Sequence, residues 1–162
     1  GPGMSETGVG DLNLRMRYNV QVGAVTVIPA LELVVPAASE DVLGQGKWQL
    51  NPVLGAVMPL SQTAFVFAGY KHLYSIAGDD ARRDIDASQP RFLVAKLSPS
   101  GWWVLADAKY THDWGTKVDT LDLELELGQM LSPNMGVSAR IGTSGLDSAR
   151  NSVVGLNLRL LF

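Results

Sequence analysis

From residue 121 to residue 127 the chain reads Leu-Asp-Leu-Glu-Leu-Glu-Leu, an uninterrupted alternation of leucine and carboxylate. Side chains on a strand point alternately to opposite faces, so this stretch is a strand with one apolar and one acidic face. A helix would scatter the leucines around its circumference. The same period of two recurs along the chain. In residues 10–18, Leu12, Leu14, Met16 and Tyr18 oppose Asp11, Asn13, Arg15 and Arg17. In 25–35, Val25, Val27, Leu31, Leu33 and Val35 oppose Glu32, and Pro29 marks a local defect in the ladder. Lys47, Gln49 and Asn51 oppose Trp48, Leu50, Pro52 and Leu54; Val66, Ala68 and Tyr70 oppose Gly69 and Lys71. Val104, Ala106, Ala108 and Tyr110 oppose Asp107 and Lys109. Val137, Ala139 and Ile141 oppose Gly136, Ser138 and Arg140, and the last stretch sets Val154, Leu156, Leu158, Leu160 and Phe162 against Gly155, Asn157 and Arg159. Residues 91–97 form a further strand whose faces the pattern leaves open.

The pattern predicts about nine strands and no convincing helix, each strand near the roughly 9–11 residues that cross a bilayer at a tilt. Reversals are expected at 19–23, 59–62, 98–101 and 132–134, and longer polar connections at 36–46, 75–89, 112–116 and 144–151. Tight turns thus alternate with longer loops. Antiparallel outer-membrane barrels have short turns on one side and longer loops on the other. A soluble sandwich with Greek-key crossings has no reason to alternate in this way.

Composition sharpens the choice. Hydrophobic residues make up 46% of the 162 and mean hydropathy is +0.11, yet no run is long enough for a membrane helix. Apolar content spread over every second position is what a transmembrane barrel carries. Trp48, Tyr70, Trp102 and Tyr110 stand near strand ends, where interfacial aromatic girdles lie. The net charge of −3 excludes a basic nucleic-acid surface, and the absence of cysteine excludes disulfides and thiolate metal sites. The reading is an all-β, antiparallel up-and-down transmembrane barrel of 8–12 strands occupying residues 8–162. Residues 1–7 read as a protease-site remnant and flexible N-terminus. Nine strands with the chain end in the periplasm would start the first strand outside. The parity therefore predicts a missing upstream strand, unless residues 10–18 lie outside the wall.

Two resemblances follow from particular residues. The terminal Phe162, closing a strictly alternating strand, resembles the C-terminal signature of bacterial outer-membrane proteins, which implies recognition by the barrel-assembly machinery. The run Gly-Val-Gly-Asp-Leu-Asn-Leu-Arg-Met-Arg-Tyr at 8–18 precedes an apolar strand ending in Pro36 and then Leu43-Gly44-Gln45-Gly46-Lys47-Trp48. This order is similar to the outer-membrane transporter family named for the meta-pathway of phenol degradation. Where that family typically has Pro-Thr-Gly, this chain has Pro36-Ala37-Ala38. The resemblance covers about the first third of the chain. It implies a channel in a Gram-negative outer membrane for passive uptake of small hydrophobic or aromatic solutes.

On a barrel the polar face lines the lumen. The expected lining is Asp11, Arg15, Arg17, Glu32, Lys47, Lys71, Asp107, Lys109, Asp122, Glu124, Glu126, Arg140 and Arg159, with the two signs nearly balanced. Asp122, Glu124 and Glu126 should find basic partners in Lys109 and Arg140 on flanking strands, each pair contributing about 0.2–1 kcal/mol. Such a lining either selects solutes by charge or fills a narrow barrel as a salt-bridged plug with a structural or anchoring role. A rim-sited enzyme acting on lipid or peptide is the third reading, on His72, Ser75, His112 and Asp113. Adjacent strand residues point apart, so His112 and Asp113 are poor partners, and no enzymatic activity is expected. No cofactor or metal is implied. The acidic run at 79–86 lacks an EF-hand's central glycine and closing glutamate, and no helix follows Gly44-Gln45-Gly46-Lys47 to make it a phosphate loop. The expected partners are outer-membrane lipid, the assembly machinery and a small solute, with no nucleic acid.

Overall fold

The computed structural model describes residues 10–39, 44–145 and 151–160. Among them there is no helix, and ten strands form one antiparallel sheet. They are β1 (Leu12–Arg17), β2 (Val20–Val22), β3 (Val25–Val35), β4 (Lys47–Ser61), β5 (Ala64–Gly78), β6 (Asp86–Leu97), β7 (Trp102–Asp113), β8 (Val118–Ser132), β9 (Met135–Ser144) and β10 (Asn151–Leu160). β1 and β2 both pair with β3, so the sheet is a meander nine strands wide. The expected remnant at 1–7 lies outside the described residues.

The first reversal falls at the very end of the expected 19–23. The chain continues through β2 and turns at Gly23-Ala24, where Gly23 has φ +61°, a conformation that glycine adopts without a Cβ clash. The gap between β1 and β2 has a cause on the facing strand. Pro29 has no N–H to donate, so the ladder lapses beside it, while the register runs on unchanged from Arg17 opposite Ala30 to Val20 opposite Val27. Only Tyr18 N, donating to Pro29 O at 3.0 Å, bridges the gap.

The connection expected at 75–89 is much shorter. β5 runs to Gly78 and β6 starts at Asp86, leaving only residues 79–85 between them. The polar residues that resembled a loop are paired: His72 lies opposite Ser88 and Tyr74 opposite Asp86. Likewise β7 continues to Asp113, and the chain reverses at 114–117. Tight turns join β2 to β3, β4 to β5, β6 to β7 and β8 to β9. At the other end lie the strand ends from which the chain passes from β3 to β4, β5 to β6, β7 to β8 and β9 to β10.

Burial along the sheet is inverted relative to a water-soluble domain. On one face Asn51 is 0%, Glu32 6%, Lys47 5% and Glu126 7% exposed; on the other Leu54 is 58% and Leu125 49% exposed. One register row on the exposed face reads Met58, Val66, Val94, Ala106, Leu125, Ile141 and Val154 across seven strands, without a polar residue. A contiguous apolar surface of this extent is an interaction surface, and here it faces every direction the sheet presents outward.

The sheet curls around its polar face. Arg15 on β1 and Lys109 on β7 line one cleft of about 120 Å³, although five strand spacings separate them. In a flat sheet that separation would be roughly 24 Å. The polar face is therefore concave and the apolar face convex. Among the described residues β1 and β10 are not paired with each other, and in an alternating path of nine strands they run in the same direction. Antiparallel closure takes an odd number of further strands between them.

Candidate functional site

The concave face is organised around Glu32. This carboxylate, near the middle of β3, has Arg15 opposite it on β1 and Asn51 opposite it on β4. Its Oε2 accepts from Arg15 Nε at 2.9 Å and also from Arg15 Nη2; its Oε1 accepts from Lys71 Nζ at 3.0 Å and from Asn51 Nδ2 at 3.3 Å. Asn51 in turn accepts the backbone N–H of Tyr74 at 3.1 Å. Lys71 reaches over β4 from β5, so the triad Arg15–Glu32–Lys71 forms a polar bar from β1 to β5. It separates two clefts. One, about 440 Å³, is lined by Asn13, Gln49, Asn51 and Lys71 and lies towards the long connections. The other is the 120 Å³ cleft, lined by Arg15, Lys71, Arg91 and Lys109 together with Val53 and Phe67.

The ion pairs continue around the curve. Arg91 Nε donates to Asp107 Oδ1 at 2.9 Å, Lys109 Nζ lies 3.0 Å from Asp122 Oδ2, and Arg140 Nη1 lies 3.6 Å from Glu124 Oε2. Asp122 also accepts from Ser144 Oγ. Glu126 accepts from Trp103 Nε1 at 3.0 Å. Near the long connections Lys47 Nζ donates to Asp84 Oδ1 at 2.8 Å, and Asp11 Oδ2 accepts the backbone N–H of Gln45 at 2.8 Å. Lys47 holds the carboxyl of Asp84, in the 79–85 loop, below the ordinary aspartate range.

Towards the tight turns the concave face of β4–β7 changes character. Val57, Phe65, Phe67, Leu93, Leu105 and Trp103 carry the inward parity there, by register with one another. Two of the three aromatic rings, Phe67 and Trp103, lie against glycines. A Cβ added at Gly55 would come within 2.7 Å of the Phe67 ring, and one at Gly69 within 2.5 Å; Trp103 covers Gly128 in the same way. This band explains why residues 91–97 gave no clear alternation. Phe92 and Val94 face out while Leu93 and Ala95 face in, so both faces are apolar. The sequence pattern consequently missed Arg91, and it gave no signal for Trp103 as a partner of Glu126.

On the convex face, at the long-connection end, aromatic and imidazole groups form a hydrogen-bonded rim. Tyr70 and Ser88 hydroxyls are 2.8 Å apart, and Trp114 Nε1 donates to Ser88 Oγ at 2.9 Å. His72 Nε2 lies 3.2 Å from Asp86, and Asp119 takes both Tyr110 OH and His112 Nδ1 at 2.6 Å. His112 is thus joined to Asp119, while Asp113 pairs with Arg83 at 2.6 Å. Ser75 bonds Asp84 and the Ile85 N–H, and by register it lies on the opposite face from His72. The four residues weighed for catalysis are not brought together.

Of the expected lining residues, Asp11, Arg15, Glu32, Lys47, Lys71, Asp107, Lys109, Asp122, Glu124, Glu126 and Arg140 have the contacts given above. Arg17 carries the same parity at the end of β1, opposite Ala30. Arg159 is in backbone register with Gly136. Phe162, the expected assembly signal, lies outside the described residues.

A curled meander with a lipid-compatible exterior and a charged concave lining is a wall of the transmembrane β-barrel type. The solved crystal structure of an outer membrane channel from Pseudomonas putida F1 superposes on it with a TM-score of 0.76 at 15% identity, over 95% of this chain and 66% of that one. The chain therefore has the fold of an outer-membrane channel barrel and spans about two thirds of that channel's length. No family model and no curated protein matches the sequence.

Proposed function

We propose that the protein is a passive outer-membrane channel for small, hydrophobic or aromatic solutes. The observation that carries this reading is the division of the concave face. A solute would meet a charged and amide-lined zone beneath the long connections and then the apolar band of Val57, Phe65, Phe67, Leu93 and Leu105. A purely structural plug has no need of such an axial change. In hydrocarbon an open sheet edge leaves backbone groups unsatisfied, so the reading takes the wall as closed around β1 and β10. No role is assigned to a catalytic group.

The test combines two assays on the full chain. In planar bilayers the protein should give discrete conductance steps. In a porin-deficient Gram-negative host it should speed entry of the apolar dye N-phenyl-1-naphthylamine, and a Phe67→Asp, Leu93→Asp variant should slow that entry. A protein that inserts but yields neither conductance nor dye entry would be the anchoring barrel instead.

A further inference from the structure

We infer that the 120 Å³ cleft below the Glu32 bar binds the anionic head of a small carboxylate whose apolar body lies on Phe67 and Val53. The inference rests on the channel reading and gives it a selective site. Four cations line this cleft: Arg15, Lys71, Arg91 and Lys109. Among the described residues the carboxylates paired with them number three, because Glu32 serves both Arg15 and Lys71 while Asp107 takes Arg91 and Asp122 takes Lys109. Glu124, which also acts on Arg91, is itself paired with Arg140. Asp11 lies on the far side of the bar, in the other cleft. The cleft therefore holds one positive charge more than its own carboxylates neutralise.

Lys71 is the group placed to use that excess. Its ammonium has three N–H donors and one of them reaches Glu32 at 3.0 Å. It lines both clefts, so a solute moving from one cleft to the other passes Lys71. Arg15 stays on Glu32 through two nitrogens, so Glu32 keeps a cation when Lys71 turns to a ligand. The other wall is apolar: the Phe67 ring lies on Gly55 and Gly69, with Val53 beside it. The cleft is similar in size to the roughly 150 Å³ engineered cavity that admits benzene, so the apolar body it accepts is short. Charge at one end and hydrocarbon at the other together specify a short amphiphilic carboxylate over either an inorganic anion or a neutral alcohol.

The experiment titrates hexanoate and 1-hexanol into the folded full-length chain in an uncharged detergent, read by saturation-transfer NMR and calorimetry. Hexanoate should bind saturably and at least tenfold more tightly than 1-hexanol. Lys71→Gln should weaken hexanoate about tenfold, as expected for loss of one charge-assisted hydrogen bond, and Lys71→Arg should largely retain it. Phe67→Ala should weaken hexanoate more than acetate. Equal binding of the alcohol, non-saturating partition into micelles, or a Lys71→Gln variant that binds unchanged would each overturn the site. Should Lys71→Gln fail to fold by circular dichroism, Arg91→Gln makes the same test from β6. Conductance and dye entry are measured on the same samples. Their absence in the unmodified protein overturns the channel reading, whereas their presence without hexanoate binding overturns only this site.

Discussion

Replacing Leu125 by arginine measures what the convex face touches. Leu125 is the central residue of β8, about half exposed, and stands in the seven-strand apolar row between Ala106 and Ile141. Leu131 is six residues further along the same strand, beside the β8–β9 turn, and is equally apolar and exposed. Six residues advance roughly 20 Å along a strand. With a barrel strand tilted about 40°, that is about 15 Å along the membrane normal, or half the hydrocarbon thickness. Leu125→Arg should then cost about 2–4 kcal/mol and Leu131→Arg about 0–1 kcal/mol. The first corresponds to a change of about 30- to 700-fold in the unfolding constant. Urea titration of the protein folded into phospholipid vesicles, followed by tryptophan fluorescence, reads the difference. Equal costs at the two positions would refute the depth argument. A cost near zero at both would mean that the face meets water, and a large cost at both would mean a dry protein core.

Two further outcomes follow from the concave face. Gly128→Ala places a Cβ into the indole of Trp103 and should destabilise by about 1–3 kcal/mol, with most of the loss recovered in the Trp103→Leu background; vesicle unfolding of the two single variants and the double variant checks it. Because the folded-state pKa of Asp84 is depressed, its tether to Lys47 is complete above the ordinary aspartate range and is lost as pH falls through the lower folded value. A nitroxide at Ala81 should accordingly gain mobility only in that acid window, and Asp84→Asn should show the gain at neutral pH. Mobility independent of pH in the parent protein would remove the tether.

Much of the fold was legible because a strand writes its two environments into alternate residues. Leu121 to Leu127, like 10–18 and 47–54, needs no tertiary information to be split into two faces. The failures have local causes. Ser75 and the polar residues at 86–89 resembled a loop because their partners, such as Tyr74 for Asp86 and His72 for Ser88, come from the facing strand. Residues 91–97 stayed unassigned because their inward side chains are apolar as well, and with them Arg91 escaped notice. The reversal expected at 19–23 comes only at its end because residues 20–22 still pair with β3, and the break before them has its cause in Pro29 across the sheet.

What the sequence determined by itself was the period of two, the strand number and the split between an apolar and a charged face. Alternation is a property of single strands and survives in any sheet they join. It has no sign, however, because an apolar face can equally be a buried core or a lipid-facing exterior. Only the tertiary structure decided that sign, by curling β1 towards β7 with Glu32 and Asn51 buried and Leu54 and Leu125 exposed. It also decided which charges meet. Glu32 takes Lys71 from two strands away, a contact set by the sheet's curvature and by the reach of a lysine side chain. The three carboxylates of the Leu121–Leu127 stretch show the same division. Their common face is written in the sequence, while the partners Lys109 for Asp122, Arg140 for Glu124 and Trp103 for Glu126 are set by register between strands.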